Sequence, residues 1–162
     1  MHGVIVYVRR EFKDIRCSVQ KLGKLVRSAC GRFGLADVTV SIAVVDNSHI
    51  RKLNARFLNR KTVTDCLSFD LSQPRDNHRW FELVVNGEKA KREAAKRGHS
   101  AQAELALYVI HGLLHNLGFD DRLTAQAKKM HRLEDEILQQ HGFGQVYNRK
   151  NKVAMGKRLK KC

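Results

Sequence analysis

Leu105-Ala-Leu-Tyr-Val-Ile-His111-Gly-Leu-Leu-His115-Asn-Leu-Gly118-Phe-Asp120-Asp121 is the stretch on which the fold turns. Its first half is apolar enough to be a helix inside the protein rather than on its surface. Residues four apart lie one above the other on a helix face, so His111 and His115 can aim two imidazoles at one point. Gly118 is placed to end the helix in a left-handed cap and turn the chain back. That return would carry Asp121 towards the same point. Two nitrogens and a carboxylate oxygen, with a fourth position open, make the protein half of a catalytic zinc site. The same spacing also suits two core histidines that hydrogen-bond to nearby carbonyls, and spacing alone leaves both readings open.

Outward from this helix the chain alternates strand and helix, then turns mostly helical. Strands are expected at residues 4–8, 38–45, 65–71 and 80–85, with Gly87 closing the last. Apolar spacing predicts a helix over 14–32 and a short one after a cap at Asp46 or Ser48, with Ile50, Leu53 and Phe57 on one face. Further helices are expected at 88–97, 100–117 and 123–140. The pattern describes a single α/β (α+β) domain over residues 1–145. It has a small four-stranded mixed sheet, about five helices, and the paired histidines on a buried helix. The tail, residues 146–162, lacks apolar periodicity and is expected to be disordered unless a partner orders it.

Charge narrows the partners. The chain holds 31 Lys and Arg against 16 Asp and Glu, a net of +15, and seven of those cations lie beyond Asn148 with no acid. Such an excess suits a polyanion, with nucleic acid the default. No amphipathic stretch with bulky aromatics accompanies it, so no membrane partner is expected. The start of the chain is too short and too β-branched for a signal peptide. Cys17, Cys30, Cys66 and Cys162 are scattered, which fits reduced thiols and a cytoplasmic protein.

Four segments in order resemble the YbeY family of metal-dependent endoribonucleases, from about residue 4 to residue 142. They are Leu53-Asn54-Ala-Arg-Phe57 with Thr64-Asp65-Cys-Leu67-Ser68-Phe69, then Glu82-Leu-Val-Val, then Gly98-His99-Ser100 with Glu104-Leu105, and last the histidine segment through Asp120. Met130 and Glu134, before Ile137-Leu138, also fit. The resemblance implies one Zn²⁺ per chain and an endoribonuclease specific for single strands. It would act at the small-subunit ribosomal RNA 3′ end and in ribosome quality control. The implied partners are ribosomal RNA and the small ribosomal subunit, with a ribosomal protein or a ribosome-assembly GTPase beside them; the chain is expected to be a monomer.

Two departures bear on mechanism. The family binds its metal through three histidines, and the third stands where this chain has Asp121. Aspartate can ligate zinc at about 2.0–2.2 Å, but its charge makes the metal less electrophilic. His111, His115 and Asp121 are thus the expected ligands, with Asp120 the rival third. The family also has a cleft-facing arginine where this chain has Leu58. Arg56 and Arg60 lie roughly 160–200° around a continuing helix from that position; with Lys61 they are the candidate RNA contacts. Glu82 and Asp120 are candidate acid and base residues, although Glu82 could equally be a strand-end carboxylate paired with lysine. Gly112 stands where an HExxH peptidase carries its general base, which argues against peptide hydrolysis. The competing reading is a ribosome-associated RNA-binding factor that keeps the fold and metal but cuts weakly or not at all.

Overall fold

The computed structural model describes residues 3–144, 146 and 147. Along them run β1 (Val4–Arg10), α1 (Val19–Arg32), β2 (Val38–Val45), α2 (Asn47–Leu58), β3 (Cys66–Asp70), β4 (Arg79–Asn86), α3 (Gly87–Arg97), α4 (Ala101–Asn116) and α5 (Thr124–Gln140). The strands form one mixed sheet in the order β1-β2-β4-β3. β2 runs parallel to both neighbours, and β3 pairs antiparallel with β4. Parallel neighbours require a crossover, which α1 supplies between β1 and β2. The α/β class, the four strands and the five helices expected from the sequence are all present.

β2 is apolar at six of its eight positions because both its faces are covered. Val38, Val40, Ile42 and Val44 join residues of α1, α4 and α5 in the main core. Ala43 and Val45 point the other way and pack with Leu67, Val84 and Ile50 of α2. Its two polar residues are short: buried Thr39 meets His78 Nε2 at 2.7 Å through its hydroxyl, and Ser41 lines a cleft at the sheet face.

Beyond shifts of one or two residues at element ends, three differences from the sequence reading have a physical reason. α1 begins only after Ser18, whose hydroxyl accepts from the Lys21 N–H at 3.2 Å. Ile15 is buried, but in the segment leading to the helix, so its periodicity misled. β4 runs directly into α3 because the Asn86 side chain caps that helix, accepting from Lys89 N–H at 2.9 Å; Gly87 opens the helix rather than closing the strand. Val146, assigned to the tail, is buried, and the Tyr147 N–H donates to Asp135 Oδ1 at 2.9 Å. The remaining tail, residues 148–162, lies outside the described residues. No described helix is long and apolar enough to cross a membrane.

α4 is buried on nearly every side, from Ala103 to Ile110 and from Gly112 to Leu114. It packs on β3 and β4 between α3 and α5. Gly112 permits that approach: a Cβ there would stand 2.5 Å from Cys66 Sγ and 3.2 Å from Leu83 Cδ2. Helix propensity would favour alanine by about 1 kcal/mol, whereas overpacking costs about 1–3 kcal/mol. Gly112→Ala is therefore expected to lower Tm, by about 2–4 °C per kcal/mol of net loss. An unchanged or higher Tm would show that the helix and sheet can part without strain.

Candidate metal centre

The last turns of α4 carry His111 and His115, with their Nε2 atoms 3.0 Å apart and their rings crossing at 87°. The helix then stops. Gly118 takes a left-handed φ of 93°, and the Phe119 N–H returns to Leu114 O at 3.0 Å. The turn delivers Asp121, with Oδ2 3.6 Å from His111 Nε2 and Oδ1 3.8 Å from His115 Nε2. Ligand atoms around a tetrahedral zinc with bonds near 2.0–2.1 Å stand about 3.3 Å from one another. The three observed separations bracket that value, so these residues could hold such an ion.

Hydrogen bonds behind the rings decide which nitrogens carry protons. His115 Nδ1 faces Phe119 O at 3.1 Å, and a carbonyl only accepts, so Nδ1 is the donor. His111 Nδ1 faces Glu134 Oε1 at 2.6 Å. Burial alone would raise the Glu134 carboxyl, but the hydrogen bonds it accepts from His111 and His131 outweigh burial and hold it low. Glu134 is therefore a carboxylate, and His111 also donates from Nδ1. Both Nε2 atoms are left presenting lone pairs to each other at 3.0 Å beside a third anionic donor. Only a proton or a cation at the shared point relieves that repulsion. The protonation behaviour agrees: burial pulls His111 down, yet the Glu134 hydrogen bond, with charge from Glu134, Asp65 and Asp121, raises it. Two imidazole nitrogens and a carboxylate are a donor set that zinc accepts. A second cluster, His111, His131 and Glu134, is already joined by hydrogen bonds of 2.6 and 2.9 Å and supports the first from behind.

The histidines open into a cavity of about 450 Å³. Thr64, Asp65, Cys66 and Ser68 form one wall, and α5 contributes His131 and Glu134. Burial first, then the Asp65 charge, pushes the Cys66 thiol up, so it is a neutral surface and not a thiolate. Arg60 also lines this cavity. The helical projection that turned it away fails because α2 ends at Leu58. Asn59 adopts a left-handed φ of 54°, after which the Arg60 N–H donates to Asn54 O at 3.3 Å. Buried Asn54 further pins this loop by donating from Nδ2 to Thr62 O at 3.0 Å. Leu58 is 50% exposed and stands outside the cavity lining, as do exposed Arg56 and Lys61. The Arg56 guanidinium lies over the Phe57 ring instead, 5.4 Å from its centroid.

Neither expected acid or base reaches the histidines. Alternation along β4 puts Glu82 on the same face as Val84, which packs with α2. α4 lies across the other face, so the sheet separates Glu82 from His111. Glu82 instead lines a cleft with Tyr7, Arg9 and Ser41. Asp120 is held by Arg122, accepting from its backbone N–H at 2.9 Å and its Nε at 2.8 Å. Those bonds bring the Asp120 carboxyl down to about 2 and make it a staple of the turn. Two contributors went unrecognised as site residues: His131 as a cavity residue and Glu134 as the anchor of His111. Their i, i+3 spacing puts them on one face of α5, the only local signal available.

A family model described as endoribonuclease YbeY matches residues 8–142. An endoribonuclease YbeY from Carboxydothermus hydrogenoformans is 38% identical over 113 residues, which cover 70% of this chain and 76% of that protein. Another, from Aquifex aeolicus, is 30% identical over 130 residues, covering 79% and 87% respectively. The solution structure of a Thermotoga maritima protein shares the fold, with a TM-score of 0.55 at 22% identity over 84% of this chain and 91% of that one. With the family match running from the first strand to the turn after α5, the chain belongs to the YbeY endoribonuclease family.

Proposed function

We propose that this protein is a zinc-dependent endoribonuclease that cuts single-stranded RNA. Its setting would be maturation of the small-subunit ribosomal RNA 3′ end and ribosome quality control in the cytoplasm. The observation that carries the reading is the pair of Nε2 lone pairs facing each other at 3.0 Å, with both Nδ1 atoms committed elsewhere. His111, His115 and Asp121 would hold the ion. When bound, zinc supplies Lewis acidity towards a phosphoryl oxygen and makes a coordinated water more acidic.

Charge supports a divalent cation in this place. Among the described residues, Asp65, Asp121 and Glu134 line the cavity against a single arginine, Arg60. Without a further cation the cavity would repel a phosphodiester, even though the net charge of +15 draws RNA to the protein. Arg60 is the guanidinium placed to neutralise a phosphate oxygen there, and its planar donors suit that contact. Gly112 packs against Cys66 and leaves no room for an HExxH glutamate, in keeping with a phosphodiester substrate rather than a peptide. The partners that follow are ribosomal RNA on the small subunit, with a ribosomal protein or an assembly GTPase beside it.

The test is cleavage by the zinc-loaded chain of a single-stranded oligoribonucleotide from the small-subunit 3′ end, beside the same sequence in duplex. Cleavage of the single strand alone, stopped by a chelator and restored by zinc, is the expected result. No cleavage by a zinc-replete, folded chain would overturn the nuclease reading. It would favour the second one, an RNA-binding factor, which exposed and uncharged Leu58 already recommends. Arg60→Ala is expected to slow cleavage about tenfold, the worth of one charge-assisted hydrogen bond. Leu58→Arg is the companion variant: a sharp gain in cleavage with unchanged binding would mark the natural chain as a weakened nuclease.

A further inference from the structure

His131 has a chemical state that the metal centre does not use. Its Nδ1 lies 2.9 Å from Glu134 Oε2, and its ring stacks on Tyr147 with centroids 3.6 Å apart and planes 8° from parallel. On the other side it runs parallel to His111, 8° apart, at 6.3 Å between centroids. One fully buried carboxylate thus anchors both imidazoles, Oε1 to His111 and Oε2 to His131. An ionised carboxylate only accepts, so each ring donates from Nδ1, and in the neutral ring the lone pair is then on Nε2. The His111 lone pair faces His115 and Asp121. That of His131 has no hydrogen-bond partner among the described residues, although the ring lines the same cavity.

An acceptor nitrogen held rigidly in place is a poor neighbour for a phosphate oxygen, because lone pair would meet lone pair. It needs a group that brings a proton. On an RNA strand passing the metal centre, the sugar supplies one at every nucleotide, the 2′-hydroxyl, and DNA lacks it. We propose that His131 reads the ribose: its Nε2 accepts a hydrogen bond from the 2′-hydroxyl of the nucleotide held in the cavity. His131 is then a residue that determines preference for RNA over DNA. The inference rests on the reading of the cavity as an RNA site, and it concerns binding rather than the cut.

The test is equilibrium binding of zinc-loaded full-length chain to single-stranded oligonucleotides of one sequence, made with ribose, 2′-fluororibose or deoxyribose. Fluorine keeps the ribose pucker but has no proton to donate, so it isolates the hydrogen bond. Wild type is expected to prefer ribose to 2′-fluororibose. His131→Phe keeps a ring to stack on Tyr147 and removes both nitrogens. It is expected to reduce that preference about five- to tenfold, measured with zinc added to saturation. A folded His131→Phe that keeps the full preference overturns the proposal. So does a wild-type chain that binds the ribose and 2′-fluoro strands equally, a result that needs no variant to fold. Ribose-selective binding without cleavage would count against the nuclease reading and leave this one standing. Cleavage with the preference intact in His131→Phe would do the reverse.

Discussion

Replacing His115 with alanine is expected to give a folded protein that no longer retains zinc and cuts RNA more than about a hundredfold more slowly. Removing a partner behind a metal ligand already weakens metal affinity about 10–100-fold, and the loss of a ligand itself exceeds that. The fold should survive, because the His115 side chain is 32% exposed and, among the described residues, its only hydrogen-bond contact besides His111 Nε2 is Phe119 O. Zinc that binds only the folded state stabilises it by about 4 kcal/mol at a thousand times its Kd. Adding zinc should therefore raise the wild-type Tm by several degrees and leave that of His115→Ala where it was. Elemental mass spectrometry on protein purified without a chelator or a metal-binding tag gives the direct count. One zinc per chain in His115→Ala would place the ion elsewhere and undo the ligand assignment.

Asp121 takes that argument one step further. In place of a neutral third imidazole it brings a charge, so an ion bound there would carry less net positive charge than it would with three histidines. The cavity then depends more on Arg60 to meet a phosphodiester. The loop after α2 and the turn after α4 thus meet at one cavity, although 60 residues of chain separate Arg60 from Asp121.

What could be read beforehand follows the range of each signal. The convergence of His111, His115 and Asp121 depends on helix pitch and one glycine turn, all within eleven residues, and the structure shows it. Helical projection turns Arg60 away from position 58 because periodicity cannot see where a helix stops. Asn59 was the available clue, since asparagine tolerates the left-handed conformation that ends helices. The choice between Asp120 and Asp121 lay in Arg122: an aspartate that accepts from the backbone two residues on is making a turn. Glu82 could be assigned to one face of β4 from alternation, but which face α4 covers is a tertiary fact. The same holds for Glu134 and His131, which reach the site only because α5 packs beside α4.

Glu134→Gln is expected to weaken zinc binding about 10–100-fold while leaving the chain folded. The carboxylate accepts from two imidazole N–H groups at once. An amide can accept from one ring, but it must turn its NH₂ towards the other. That second ring can meet the NH₂ only by offering a lone pair from Nδ1, which moves its own proton to Nε2. If the ring is His111, its metal-facing nitrogen is blocked. Saturating zinc opposes that outcome, so in the loaded variant the proton should shift on His131 instead, and the lone pair it offers the cavity is lost. Zinc affinity falls even then, because His111 loses the negative charge that made it a stronger donor. Glu134→Ala differs in kind: it strands both N–H groups in a buried pocket and should also cost about 1–3 kcal/mol of stability. Chelator competition measures the zinc affinity and thermal melting the stability. Zinc affinity equal to wild type in Glu134→Gln would show that the buried carboxylate plays no part in holding His111 to the metal.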